Sequence, residues 1–283
     1  MIQLIASSFG RATAWAAAPA MLAILAFAPA AHADIVPVSA AQCAAMKTRH
    51  VITPANPVPC SRLSTVSFDY TDFDGATRSG SVVVLDAVAP QVESLFGELL
   101  LRSTPLASAM PLENFDGDDE KSMAANNTSA FNGRPMTGGG AWSKHAYGAA
   151  IDINPLQNPY VSKAGSPQQQ VLPQAGADYV PRMPLRPGQA EDLVGVFYDH
   201  GFLAWGGNWK EPIDYQHFEI GSREFIRKLA SMPRAQARAE FERYVARYRG
   251  CVRQHPQAHT GDADDDAPED TALRDNCAAR MRK

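Results

Sequence analysis

Apolar and polar residues alternate on either side of an Asp74-Gly75 turn signal, with Val66, Phe68 and Tyr70 before it and Val82 and Val84 after it. A period of two puts alternate side chains on one face, so this stretch predicts a β-hairpin. The period then changes. Val92, Leu95, Phe96, Leu99 and Leu100 stand at i, i+3, i+4, i+7 and i+8 behind Pro90, which suits a first helical turn, and they predict a helix with one buried stripe. Across residues 104–140 no period survives, and Asn, Asp, Gly, Ser and Thr crowd the chain. An irregular region of that length inside a compact domain often carries function. Beyond residues 149–154 a loop rich in Pro, Gln and Gly runs to about Pro187. Leu193, Val196 and Phe197 then predict a helix ended by Gly201. Residues 202–205 and 215–220 predict two short strands broken apart at Gly206-Gly207. Phe225, Ile226 and Leu229, followed by Phe241, Tyr244, Val245 and Tyr248, predict a helical C-terminal part. Residues 261–270 are acidic and poor in apolar side chains, and predict a solvated linker. The mixed order of strands and helices is that of an α+β protein.

Composition narrows the picture. With 45% hydrophobic residues in 283, the chain has material for one full-sized core. A formal net charge of −4 supplies no broad basic field, which argues against nucleic acid or an anionic membrane as partner. Near the start, Arg11, an apolar run over residues 21–27 and the small-x-small triplet Ala31-His32-Ala33 read as a signal peptide cleaved after Ala33. The alternative is a retained anchor, disfavoured because the run is short and bounded by Pro19 and Pro29. Export makes disulfides the expected state of Cys43, Cys60, Cys251 and Cys277. The favoured pairing is Cys43–Cys60 and Cys251–Cys277, because near neighbours close small loops; free buried thiols are the alternative. The expected organisation is a leader over 1–33, a lead segment over 34–62, one domain over 63–250 including the helical part, and a tail over 251–283.

Two segments carry candidate chemistry. Ser143-Lys144-His145-Ala146-Tyr147-Gly148-Ala149-Ala150-Ile151-Asp152 joins an imidazole to a carboxylate through small residues, and Asp214-Tyr215-Gln216-His217-Phe218-Glu219 follows much later. Singly, each His or Asp is weak evidence. In this order, Ser-x-His-x-x-Gly-x-Ala-x-Asp followed by Asp-x-x-His-Phe-Glu resembles the M15 family of zinc peptidases, which act on bacterial cell-wall peptides. Residues 127–134, Trp142, Asp152-Ile153-Asn154-Pro155 and Trp205-Gly206-Gly207-Asn208-Trp209 extend the resemblance, which runs from about Leu63 to Ile220.

The resemblance implies an antiparallel sheet with flanking helices, of the zinc fold shared by hedgehog domains and D,D-peptidases. It implies Zn²⁺ held by His145, Asp152 and His217, with a fourth position for water or substrate. Asp214 matches the family's general base, with Glu211 and Glu219 as rivals; Glu219 alternatively orients His217 from the same strand face. Carboxypeptidase members commonly have Glu at the base position, and Asp is the choice of the endopeptidase branch. Arg134 matches an arginine that binds the substrate carbonyl oxygen or carboxylate. Many relatives have Cys where Gly133 stands. Ser143 either binds substrate or caps the ligand-bearing turn, and Trp205 and Trp209 either wall the cleft or belong to the core. His50, His200, His255 and His259 match no motif, and His200 fits a helix C-terminus. The implied activity is hydrolysis of a peptide bond in a peptidoglycan stem peptide, in the periplasm or outside the cell. The alternative is a non-catalytic zinc-bearing binding module of the same fold.

Overall fold

The computed structural model describes Met1, residues 33–254 and residues 268–282. Almost all of the expected leader, residues 255–267 with most of the acidic linker, and His255 and His259 lie outside the described residues. Among the described residues no helix is long and apolar enough to cross a membrane.

The predicted hairpin is present and gains a third strand. β1 (Ala33–Pro37) leads into α1 (Ala40–Thr48), and β2 (Leu63–Thr71) and β3 (Thr77–Leu85) complete an antiparallel sheet of order β1-β2-β3. Cys43 and Cys60 are joined, with Cα atoms 5.9 Å apart, so the segment carrying α1 is tied to the start of β2. Met46, Val51, Ile52 and Val58 of that segment enter the core. α2 (Ala89–Leu101) buries Val92, Leu95, Phe96 and Leu99 as its periodicity requires. The Phe96 ring stacks on Phe68 at 3.6 Å between centroids, which fastens helix to hairpin.

Residues 104–140 hold short elements that no periodicity announced: β4 (Ser108–Ala109), α3 (Asp119–Ala124) with Asp118 as its N-cap, and β5 (Asn127–Thr128), which pairs with β4 in parallel. Side-chain amides replace the missing ladder. Asn127 is fully buried, accepts from Met110 N–H at 2.8 Å and donates to Met110 C=O at 2.9 Å. Asn154, also fully buried, donates to Pro105 and Gly188 carbonyls and accepts from Ala107 N–H. Buried polar atoms without partners are costly, so these amides specify one loop path.

Three further strands, β6 (Ala150–Asp152), β7 (Tyr160–Ser162) and β8 (Gln170–Leu172), precede α4 (Val194–Asp199), β9 (Ala204–Trp205), β10 (Ile213–Asp214) and β11 (His217–Glu219). They form two antiparallel sheets, β6-β11-β9 and β10-β7-β8. The α+β class holds, but among the described residues the strands are divided among three small antiparallel sheets and one parallel pair rather than a single sheet. β7 and β8 lie in the stretch read as loop, because three-residue strands are too short for alternation to register. His200 is the C-cap of α4, its Nδ1 donating to Val196 C=O at 2.9 Å. Phe197 of α4 stacks on Phe218 of β11 at 3.8 Å between centroids, pinning the β6-β11-β9 sheet to the core.

The C-terminal part is helical: α5 (Arg223–Ser231), α6 (Arg234–Arg253) and α7 (Pro268–Met281). Cys251 and Cys277 join α6 to α7. Both disulfides follow the nearest-neighbour pairing. The buried Asp86 carboxylate receives Arg62 at 2.9 Å and Arg234 at 3.0 Å, linking the hairpin to the start of α6.

Gly148 turns the chain between His145 and Asp152 with φ 67°, and a Cβ on it would sit 2.4 Å from Leu85 N. Gly148→Ala therefore meets both left-handed strain and a backbone clash. We expect a loss of at least about 2 kcal/mol in urea unfolding.

Candidate metal centre and cleft

The site is assembled from one tight turn and two strands. Ser143 caps the 3₁₀ turn at Lys144–Tyr147, its hydroxyl accepting His145 N–H at 3.3 Å, and Gly148 closes that turn. In the antiparallel register of β6 and β11, Asp152 lies directly opposite His217. Directly paired residues project from the same face, so the two side chains meet. His145, Asp152 and His217 are buried, and one ligand atom from each lies within 4.8 Å of the others.

The hydrogen bonds around the cluster orient both rings. His145 Nδ1 donates to Ala130 C=O at 2.5 Å, which turns Nε2 inward as a lone pair when the ring is neutral. His217 Nε2 donates to Glu219 Oε2 at 3.1 Å and turns Nδ1 inward in the same way. His145 Nε2 and His217 Nδ1 then face each other at 3.0 Å, while Asp152 approaches them at 3.2 Å and 3.0 Å. Three electron-pair donors aimed at one point repel unless positive charge sits among them. Two imidazoles and a carboxylate fit a divalent ion such as zinc.

Protons are the substitute for such an ion. Burial opposes charge on His217, but its hydrogen bonds to Asp152 and Glu219 outweigh burial and raise its pKa to about 10. Burial likewise opposes ionisation of Asp152, yet the His145 charge and the hydrogen bonds from both imidazoles hold its pKa below the usual carboxylate range. Glu219 is held down to about 2, since its bonds to His217 and Lys144 overcome burial. Lys144 is pushed down by burial, partly offset by Glu219 at 2.7 Å, and also donates to the Ile220 and Gly221 carbonyls.

The cluster opens into a cleft of about 680 Å³. The wall made by β10-β7-β8 is ordered by register: Asp214 lies opposite Tyr160, and Tyr160 opposite Leu172, so one row of side chains faces the cleft. Asp214 Oδ1 is buried with no hydrogen-bond partner. Burial first, and then the Asp152 charge, push its pKa up to about 7. The rival carboxylates are engaged elsewhere. Glu211 also lines the cleft but accepts Lys163 N–H at 2.9 Å and 3.0 Å through its two oxygens, and Glu219 is shared between His217 and Lys144.

Arg134 lines the cleft with its guanidinium on Asp119 Oδ2, 3.0 Å from both Nε and Nη2. Its loop is held by Gly133, where a Cβ would come 2.3 Å from Val51 C=O; a larger residue there requires a different path for the 51–56 segment. Trp209 stands at the cleft with its ring centroid 5.2 Å from that of His217. Trp205 does not line this cleft. Its indole N–H donates to Tyr215 C=O at 2.8 Å and its ring lies near Phe218 in the core, so the core alternative is the one the packing favours. Ser143 both caps the turn and reaches the cleft surface.

Tyr160, Leu172, Asp119 and Arg223 are cleft residues that the sequence did not single out. The first two sit on strands too short to show a period, and the acidic start of α3 offered the only local hint of Asp119.

Residues 137–220 match a family model described as D-alanyl-D-alanine carboxypeptidase. No curated protein and no solved structure matches the chain. Because His217 Nε2 donates to Glu219 and is oriented by it, Glu219→Gln should weaken zinc affinity about ten- to a hundredfold in a competitive chelator titration.

Proposed function

We propose, from the premise that this chain is an M15-family peptidase by its 137–220 segment, that it is a zinc-dependent hydrolase of one peptide bond in peptidoglycan stem peptides. The observation that supports this reading best is the convergence of His145 Nε2, His217 Nδ1 and an Asp152 oxygen, each turned inward by its surroundings, at the floor of an open cleft. Two bonds fit this reading, a terminal D,D bond and an L,D bond within the stem, and Asp at the base position is the choice of the endopeptidase branch. A fold related to the zinc domain of hedgehog proteins and D,D-peptidases, and work in the periplasm or outside the cell, belong to the same proposal. The two disulfides are compatible with that location.

When bound, zinc supplies positive charge that polarises the scissile carbonyl and acidifies the attacking water. The chain supplies the rest. Asp214, which lines the cleft, accepts the proton as water oxygen bonds to the carbonyl carbon, and returns it to the amine as the C–N bond breaks. A base with a pKa near 7 is matched to that double task. Arg134, kept in place by Asp119, offers its guanidinium to the oxygen on which negative charge develops. Ser143 and Trp209 border the space that the substrate occupies.

Purified zinc-loaded protein incubated with defined muropeptides should release a fragment from one peptide bond, seen by mass spectrometry and abolished by a chelator. Intact muropeptides of every stem type, with metal bound, would instead favour a zinc-bearing binding module. Asp214→Asn should keep zinc and lose turnover by about 10²- to 10⁴-fold. Retained activity would move the base to Glu211 or Glu219.

A further inference from the structure

Three cations line the cleft, and two of them have an acidic partner. Arg134 is paired with Asp119, and Lys144 with Glu219. Arg223, the first residue of α5, differs. Its guanidinium donates to the carbonyl of Trp142 and lies on the thioether of Met136, both neutral, and among the described residues it has no carboxylate partner. It lines the same cleft as His145, Asp152 and His217.

A guanidinium facing a cleft with only neutral partners has no carboxylate beside it to offset its charge, and it has N–H donors beyond those given to Trp142 and Met136. The group that matches it is a carboxylate, through charge-assisted and often paired hydrogen bonds. We infer that Arg223 anchors a free carboxylate of the substrate near the bond that is cut. This inference rests on the peptidase reading and adds a chemical class to it: the substrate is an acidic peptide recognised in its ionised, unamidated form. Two sources carry that chemistry, the C-terminal carboxylate of the stem and the α-carboxylate of its D-glutamate. The bond to Trp142 C=O also ties the anchor to the residue just before Ser143, so an occupied anchor and the metal-bearing turn share one support.

The test uses the full-length zinc-loaded protein and two matched pairs of stem peptides. One pair differs as C-terminal acid against amide, the other as D-glutamate α-carboxylate against its amide. We expect kcat/KM to favour the acid in one pair by about ten- to a hundredfold, mainly through KM, and the responding pair names the source. Arg223→Gln should bring that acid-to-amide ratio to about one, and Arg223→Lys should keep part of it. Equal cleavage of acid and amide in both pairs overturns the inference while leaving the peptidase reading standing. So does an acid preference that survives undiminished in Arg223→Gln. If Arg223→Gln loses zinc or fails to fold, Arg223→Lys decides: a reduced preference supports the anchor and an unchanged one overturns it. Wild-type protein inactive on all four peptides, with metal bound, overturns the peptidase reading and the anchor with it.

Discussion

The register between two three-residue strands is the constraint on which the site depends. A slip of one residue between β6 and β11 would turn Asp152 or His217 to the opposite face and separate two of the three inward-facing donors. Three residues of ladder are too few to hold such a register alone. Phe218 does so from the other side: it lies between His217 and Glu219, so it points away from the cluster and stacks on Phe197 in the core. One face of the strand is therefore fixed by aromatic packing while the other gathers polar groups. The cost of assembling those groups is offset by partners for every outward ring nitrogen, the Ala130 carbonyl on one side and Glu219 with Lys144 on the other.

Carboxylates of one chemical type are given different tasks by their surroundings. Asp152 and Glu219 each touch an imidazole, and those contacts keep them ionised despite burial. Asp214 is placed near the same cluster but with an oxygen that no donor reaches, and burial raises its pKa instead. Groups pushed apart in this way divide into two held ionised by imidazole contacts and one whose pKa burial raises. The cations divide in parallel: Lys144 and Arg134 are tied to acids, and Arg223 faces the cleft with neutral partners.

The irregular chain over residues 104–140 contributes a wall of this cleft because side-chain amides perform the task that a ladder performs elsewhere. Asn127 and Asn154 close hydrogen bonds to backbone groups of distant loops, and α3 then presents Asp119 to Arg134. The Cys43–Cys60 segment backs the Arg134 loop through the contact that only Gly133 permits. A side chain aimed by loops is thus held through the partners that the buried amides of Asn127 and Asn154 find.

The sequence by itself determined the hairpin, the α2 stripe, the helical C-terminal part and the His–Asp and Asp–His segments, because each rests on spacing within a short window, which is how side chains on one element share a face. It also separated the family's motif from chance through the order of those segments. Tertiary structure decided the rest. It moved Trp205 into the core, divided the strands among several small sheets, and brought Tyr160, Leu172, Asp119 and Arg223 to the cleft. These outcomes depend on pairings between segments remote in the chain, through strands of two or three residues whose local pattern is too short to carry a period. Their positions are set only when the core closes and most buried donors and acceptors find partners.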